Sequence, residues 1–200
     1  MPGAPGQDHP RCTTNARAAA AHVVPRCIFF RSVPMRRDAI IRIRDLSRVF
    51  IGAVETWALN EVTFGVDRGE FVAVLGPAGA GKSTLLHLIG GLDRPTLGAV
   101  TVDGVNPATL EGNALADWRR QTIGYAFQVP HLLSTLTLIE NVMLPVWPYR
   151  RRLEFDLAER ARWLLSTIGL LEDAEVFPTS ISPGQQQGVA VARAAVGRPQ

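Results

Sequence analysis

The chain lacks the features that would place it in several specialised classes of protein. It has two cysteines among 200 residues, too few for a scaffold held together by disulfides. No apolar run approaches the ~18 residues needed to cross a bilayer, so the sequence predicts no transmembrane helix. With 46% hydrophobic and 20% charged residues, the composition is that of a folded globular protein and excludes disorder along the whole chain.

Positive charge is concentrated in the first part of the chain. Residues 1–37 contain six arginines and one acid, a balance of +5, while residues 38–200 contain 15 basic and 17 acidic groups, a balance of −2, which together give +3. We predict a disordered basic extension over 1–37 and a folded part over 38–200. The alternatives for 1–37 are a transit peptide or sequence upstream of a start at Met35. The acidic balance of the folded part argues against a nucleic-acid partner.

Patterns of apolar residues predict alternating strands and helices in the folded part. Strands are predicted from Ile41 to Leu46 and over 57–66, 71–75, 99–102 and 123–127. The run 71–75 is almost continuously apolar, as is typical of a strand buried on both faces. Helices are predicted over 82–90, 153–168 and 183–196. This alternation predicts an α/β fold with some parallel sheet.

A glycine-rich loop between the predicted strand 71–75 and the helix that follows is the strongest chemical signal. It fits the pattern GxxxxGK(S/T) and consists of Gly76, Pro77, Ala78, Gly79, Ala80, Gly81, Lys82, Ser83 and Thr84. Glycines let backbone N–H groups turn toward phosphate oxygens, and the helix N-terminus adds partial positive charge. Lys82, the only lysine of the chain, would reach the β- and γ-phosphates, and the Ser83 hydroxyl would bind Mg²⁺. The competing interpretation is a glycine-rich turn with a solvated lysine.

Four further segments follow this loop in a recognisable order. They are GGLDRPTLGAVTVDG at 90–104, RRQTIGYAFQ at 119–128, LLSTLTLIENVMLPV at 132–146 and ISPGQQQGVAVARA at 181–194. With these motifs, residues 39–200 resemble the ATP-binding subunit of ABC transporters, and most of all the subfamily that powers lipoprotein release and macrolide-type export. The resemblance implies a P-loop NTPase (RecA-like) core with an antiparallel β subdomain and an α-helical subdomain.

The resemblance also implies roles for residues outside the loop. Phe50 falls where the family places an aromatic residue that stacks on adenine, although it could instead be a core residue. Gln128 matches the Q-loop glutamine, whose amide contacts Mg²⁺ or the attacking water; the alternative is an ordinary surface glutamine. The family's signature segment, which faces the nucleotide of a partner subunit, corresponds to Ser182, Pro183, Gly184 and Gln185.

Two residues depart from the family pattern at and after the signature segment. Proline at 183 replaces a glycine and removes a backbone N–H, and Gly188 replaces an arginine and costs a helix about 1 kcal/mol relative to alanine. Ser182 and Gln185 nevertheless form an S-x-x-Q capping box with Pro183 at the first helical position. We therefore expect the helix to form and the signature function to be weakened.

The cofactors and partners implied by the resemblance are ATP, Mg²⁺, membrane permease subunits and a second nucleotide-binding subunit in a dimer. The chain would lie on the cytoplasmic side of the inner or plasma membrane, held there through its partner. It would couple ATP binding and hydrolysis to export or lipoprotein release. The alternative function is a degenerate, non-hydrolysing nucleotide-binding module.

Whether the chain acts as an ATPase is left open by the sequence. Family members continue into the Walker B strand and the catalytic glutamate, and this chain ends at Gln200 before both. We expect an incomplete core sheet, and nucleotide binding without steady hydrolysis by this chain alone. An unrelated P-loop kinase is disfavoured by the signature-like segment and by the Q-loop.

Overall fold

Residues 39–200 are described by a computed structural model, and the predicted extension over 1–37 lies outside them. The strands are β1 (Ile41–Phe50), β2 (Thr56–Val66) and β3 (Leu97–Val102). The α-helices are α1 (Lys82–Ile89), α2 (Gly112–Thr122), α3 (Leu138–Met143), α4 (Leu157–Thr167) and α5 (Pro183–Ala195). Short 3₁₀ helices cover Pro107–Thr109, Trp147–Arg152 and Pro178–Ser180. No helix in this part of the chain has both the length and the apolar character that crossing a bilayer requires.

The three strands form an antiparallel sheet in the order β2-β1-β3. Ile43 of β1 lies opposite Phe64 on one side and opposite Val100 on the other, and all three side chains are buried. Their buried face packs against Leu85 and Leu88 of α1. The helix that follows the glycine-rich loop is therefore fixed to the sheet through its own apolar face.

A second apolar core lies between α3, α4 and α5. Its fully or nearly fully buried members include Leu138, Val142, Ala161, Leu165, Val189 and Val196. Asn141 of α3 is also fully buried, and its amide accepts a hydrogen bond from the Leu133 N–H and donates to the carbonyls of Leu133, Leu136 and Thr137. Because each polar atom of this side chain is paired, Asn141 fixes the chain that leads into α3 without an unsatisfied buried group. This unit agrees with the predicted α-helical subdomain.

Two of the predicted strands are not formed. Over 71–75 only Leu75 takes part in a bridge, and Phe71 is 96% exposed, while 123–127 has no regular secondary structure. An apolar run forms a buried strand only when adjacent strands pair with its backbone. No strand of residues 39–200 pairs along either segment. The parallel part of the predicted sheet is accordingly missing from the described residues, in line with the expected incomplete core sheet.

Local capping signals decide where the helices begin. At the start of α5, Ser182 Oγ accepts from the Gln185 N–H and the Gln185 side chain accepts from the Ser182 N–H, with Pro183 at the first position, so the predicted capping box is confirmed. The helix predicted over 153–168 begins later, at α4, because the Asp156 side chain caps it by accepting from the Glu159 N–H.

We expect Gly188→Ala to stabilise the protein. Gly188 lies inside α5, and a Cβ built there would be 3.5 Å from Ile168 Cδ1, an ordinary contact distance. Removing the conformational freedom of glycine without a clash should raise the free energy of unfolding by about 1 kcal/mol in urea denaturation. Gly98→Ala is the opposite control, because Gly98 has φ +78° and a Cβ there would lie 2.3 Å from the Asp45 carbonyl oxygen. An unchanged or lower stability of Gly188→Ala would show that α5 does not accommodate a side chain at this position.

Candidate functional site

A cleft of about 360 Å³ lies between one end of the β1–β2 hairpin and the start of α1. Its walls are formed by Phe50, Thr56, Trp57 and Ala58 on the sheet side and by Gly79, Ala80, Gly81, Lys82, Ser83 and Thr84 on the loop side. Phe50 ends β1 and pairs with Thr56 at the start of β2, which places both at the turn end of the hairpin. The structure thus brings the predicted phosphate loop and the predicted adenine-stacking residue to one cleft.

The loop depends on the backbone freedom of two glycines. Gly79 and Gly81 have φ values of +78° and +86°, in the left-handed region that favours glycine. A Cβ on Gly81 would lie 2.2 Å from the carbonyl oxygen of Ala58, so only glycine lets the start of α1 approach β2 so closely. Gly81 is the N-cap of α1 and provides no side-chain hydrogen bond, and the first turn contains no acidic residue. The positive end of this helix dipole therefore meets no carboxylate of its own first turn.

The ammonium group of Lys82 lies folded over the loop. Lys82 Nζ donates to the carbonyl oxygens of Gly76 at 2.9 Å and Pro77 at 2.7 Å. Both partners are neutral dipoles, so the positive charge of the side chain is not cancelled by these bonds. An anion in the cleft can therefore compete for the ammonium group on favourable terms.

Phe50 is a surface aromatic at the edge of the cleft. Phe50 is 44% exposed, which argues against the alternative interpretation as a core residue. The guanidinium carbon of Arg48 lies 4.6 Å from the ring centroid, and Arg48 is held in turn by two hydrogen bonds to Asp93 of 2.8 and 2.9 Å. Held near this cation, the ring presents exposed π surface at the cleft on which a planar group could stack.

Gln128 is exposed in a bend after the segment 123–127 and does not line the cleft. Aromatic contacts connect its segment to α1. The ring centroids of His87 and Tyr125 are 6.0 Å apart, those of Tyr125 and Phe127 are 4.5 Å apart, and those of Phe127 and His131 are 5.6 Å apart. Burial raises the pKa of Tyr125 within this row.

The signature-like segment lies away from the cleft, at the start of α5. The backbone N–H of Ser182 and the backbone N–H of Gln185 are both bonded within the capping box, and Pro183 has no backbone N–H. Gly184 therefore supplies the remaining backbone donor of this first turn, and no atom lies within 4 Å of a Cβ built on it.

Sequence reasoning missed part of the cleft wall, namely Thr56, Trp57 and Ala58. Trp57 pairs with Val49, next to Phe50, so the hairpin register places the indole beside the cleft. The alternating pattern of 57–66 predicted the strand but not its register against β1. For a metal, the described residues offer no group of three or more His, Cys, Asp or Glu side chains, and the side-chain hydroxyls that line the cleft are those of Thr56, Ser83 and Thr84.

Comparison with known proteins identifies relatives of this chain. The sequence pattern of the ABC transporter family matches residues 59–200. A lipoprotein-releasing system ATP-binding protein LolD of Anaeromyxobacter dehalogenans is 49% identical over 143 residues, which cover 72% of this chain and 60% of that protein. A macrolide export ATP-binding/permease protein MacB of Vibrio parahaemolyticus is 40% identical over 162 residues, covering 78% of this chain and 24% of that protein.

A solved structure is similar in fold as well as in sequence. It is the dimeric, post-hydrolysis state of an ATP-binding cassette bound to ADP and Pi, which matches with a TM-score of 0.73 and 36% identity over 80% of this chain and 70% of that chain. The chain spans 60% of the length of the LolD relative and 24% of the length of the MacB relative, less than two thirds of each.

We expect Gly81→Ala to damage the cleft more than Gly79→Ala does. Both positions have positive φ, which costs an alanine about 1 kcal/mol. Only Gly81 adds a clash, at 2.2 Å from the Ala58 carbonyl oxygen, while nothing lies within 4 Å of a Cβ on Gly79. Urea denaturation should show a free energy of unfolding lower by at least about 1 kcal/mol in Gly81→Ala than in Gly79→Ala. Equal effects of the two variants would show that the close approach to β2 does not contribute to the free energy of unfolding.

Proposed function

Because this chain belongs to the ABC transporter family, we propose that it is an ATP-binding subunit of such a transporter and couples ATP binding and hydrolysis to export or lipoprotein release. One observation carries the proposal: the glycine-rich loop with its single lysine and the exposed ring of Phe50 line the same cleft. A nucleotide needs both a site for its phosphates and a site for its base, and the cleft offers one at each side.

The loop side of the cleft fits the triphosphate. The positive φ of Gly79 and Gly81 turns backbone N–H groups toward an anion, and the uncapped start of α1 adds its partial positive charge. Lys82 gives up its bonds to the Gly76 and Pro77 carbonyls and donates to the β- and γ-phosphates instead. This exchange replaces bonds to neutral carbonyls by stronger bonds between opposite charges.

The sheet side of the cleft fits the base. Phe50 stacks on adenine with the exposed part of its ring, and Trp57 closes the wall beside it. Stacking needs only a flat apolar surface, so this contact supplies affinity for a purine base without reading its hydrogen-bonding pattern.

Mg²⁺, when bound with ATP, neutralises charge on the phosphates. Of the hydroxyls that line the cleft, that of Ser83 is the protein ligand, and Gln128 supplies a second oxygen when its side chain extends toward the nucleotide from the 127–131 segment. Hard oxygen ligands of this kind, completed by phosphate oxygens and water, suit Mg²⁺.

A second nucleotide-binding subunit and membrane permease subunits complete the proposed assembly. A solved relative with 36% identity is dimeric, and one curated relative is named as a combined ATP-binding and permease protein. In the dimer, Ser182, Pro183, Gly184 and Gln185 face the nucleotide held by the other subunit, with the Gly184 N–H as the free backbone donor of that turn. The subunit lies on the cytoplasmic side of the membrane and is attached through the permease.

Lys82→Ala is expected to weaken ATP binding by at least about tenfold, because a charge-assisted hydrogen bond to phosphate is lost. Isothermal titration calorimetry of the 200-residue chain with Mg-ATP measures this. Arg94→Ala is the control, since Arg94 is an exposed cation that bonds Glu111 outside the cleft. Equal ATP affinity in Lys82→Ala and wild type would remove the basis of the proposal.

Phe50→Ala is expected to weaken ATP binding by about tenfold, because base stacking on an aromatic ring is lost. Binding of inorganic tripolyphosphate should stay unchanged, since that ligand has no base. Phe50→Trp keeps a flat ring and should retain ATP affinity. If Phe50→Ala reduced the affinity for both ligands equally, the ring would support the loop rather than contact the base.

A further inference from the structure

Two side chains of α5 hold the backbone on both sides of Gln128. Gln187 Nε2 donates to the carbonyl oxygen of Phe127 at 3.0 Å. The guanidinium of Arg193 donates through Nη1 to the His131 carbonyl at 2.8 Å and through Nη2 to the Pro130 carbonyl at 2.5 Å. One helix therefore binds the carbonyl just before Gln128 and two carbonyls just after it.

The backbone near this segment approaches α5 closely and has an unusual turn. A Cβ on Gly124 would lie 2.2 Å from the carbonyl oxygen of Ala194, so the backbone at Gly124 packs against α5 with no room for a side chain. His131 has φ +46°, a conformation that costs a non-glycine residue free energy. Such a turn persists only where its surroundings hold it, and here Arg193 binds its carbonyl.

The Arg193 guanidinium is partly withdrawn from water. Burial lowers the pKa of Arg193, because its charge loses part of its hydration at this position. The Pro130 and His131 carbonyls replace the lost water, and hydrogen bonds from a charged donor are stronger than those between neutral groups.

The helix that provides these anchors is itself firmly placed. Val189, Ala192 and Val196 of α5 and its C-terminal end are buried in the core shared with α3 and α4. The capping box at Ser182 and Gln185 fixes its first turn. An anchor on α5 therefore holds the 127–131 segment at a set position relative to the helical core.

We propose that Gln187 and Arg193 are positioning residues that hold the 127–131 segment, and with it Gln128, in the conformation from which Gln128 reaches the Mg²⁺ of a bound nucleotide. This inference rests on the proposed function, in which Gln128 is a metal-contacting residue. Because the signature-like segment begins the same helix, the two nucleotide-facing segments of the chain share one rigid support.

Gln187→Glu tests the inference, with Gln186→Glu as a matched control. Glutamate has nearly the same shape as glutamine but, when ionised, cannot donate to a carbonyl. Gln186 is the neighbouring glutamine on α5, and its amide donates to Pro178 and Ile181 instead, away from 127–131. The two variants thus change the same chemical group on the same helix and differ in which loop they release.

Two measurements on the 200-residue chain separate positioning from general stability. The first is hydrogen–deuterium exchange, without nucleotide, of the backbone amides in 127–131, where every residue except Pro130 has one. The second is the dissociation constant for ATP by calorimetry, with Mg²⁺ and with EDTA. Gln187→Glu should speed exchange in 127–131 and reduce the gain in affinity that Mg²⁺ provides by about fivefold, while the affinity in EDTA stays at the wild-type value.

Arg193→Lys and Gln128→Ala extend the test. Lysine keeps the charge of Arg193 but not its fork of donors, so Arg193→Lys should show the same pattern as Gln187→Glu. Gln187→Glu combined with Gln128→Ala should lose no more Mg²⁺-dependent affinity than Gln128→Ala alone, because both act through the same amide.

The outcomes distinguish this inference from the proposed function. Wild-type exchange in 127–131, or wild-type Mg²⁺ dependence, in Gln187→Glu overturns the inference and leaves the proposed function standing. The same loss in Gln186→Glu also overturns it, since the effect would then be one of helix stability. If the wild-type chain binds ATP neither with Mg²⁺ nor with EDTA, the proposed function is wrong and the inference fails with it.

Discussion

The candidate site depends on the close approach between the start of α1 and the backbone of β2. At Gly81 there is no room for a side chain against the Ala58 carbonyl, and this contact fixes where the loop ends. Leu85 and Leu88 then hold α1 in the core beneath the sheet. The segment before the loop gives less support, since Phe71 and Leu75 are largely exposed. The position of the loop is therefore set mainly from its C-terminal side, by the sheet and by α1.

Residues 123–131 connect the two apolar cores. On one side Tyr125 approaches His87 of α1, and on the other Gln187 and Arg193 of α5 bind the backbone carbonyls of this segment. A shift of α5 relative to the sheet would thus displace this segment first, because α5 binds its carbonyls. In a subunit of the proposed kind, that places the residues around Gln128 between the helix with the signature-like segment and the helix with Lys82.

Features that depend on a few neighbouring residues were predictable from the sequence. The loop pattern, the helix after it and the Ser182–Gln185 capping box are of this kind, and each is present in the structure. Thr137 and Glu140 form a second capping box of the same local kind, which the sequence reasoning missed. The prediction of a strand over 71–75 was wrong, because a strand forms only when other strands of the chain pair with it. The contacts of Gln187 and Arg193 join residues about 60 positions apart, and no local pattern could indicate them.

The bonds of Lys82 to the Gly76 and Pro77 carbonyls have a consequence for chemical labelling. Since the chain has a single lysine, an acylating reagent finds one side-chain amine, and it lies inside the cleft. Acylation would take away the positive charge and fill the space in front of the loop at the same time. The extent of reaction at this one amine, read by mass spectrometry, would therefore report how often the ammonium group leaves its two carbonyl partners.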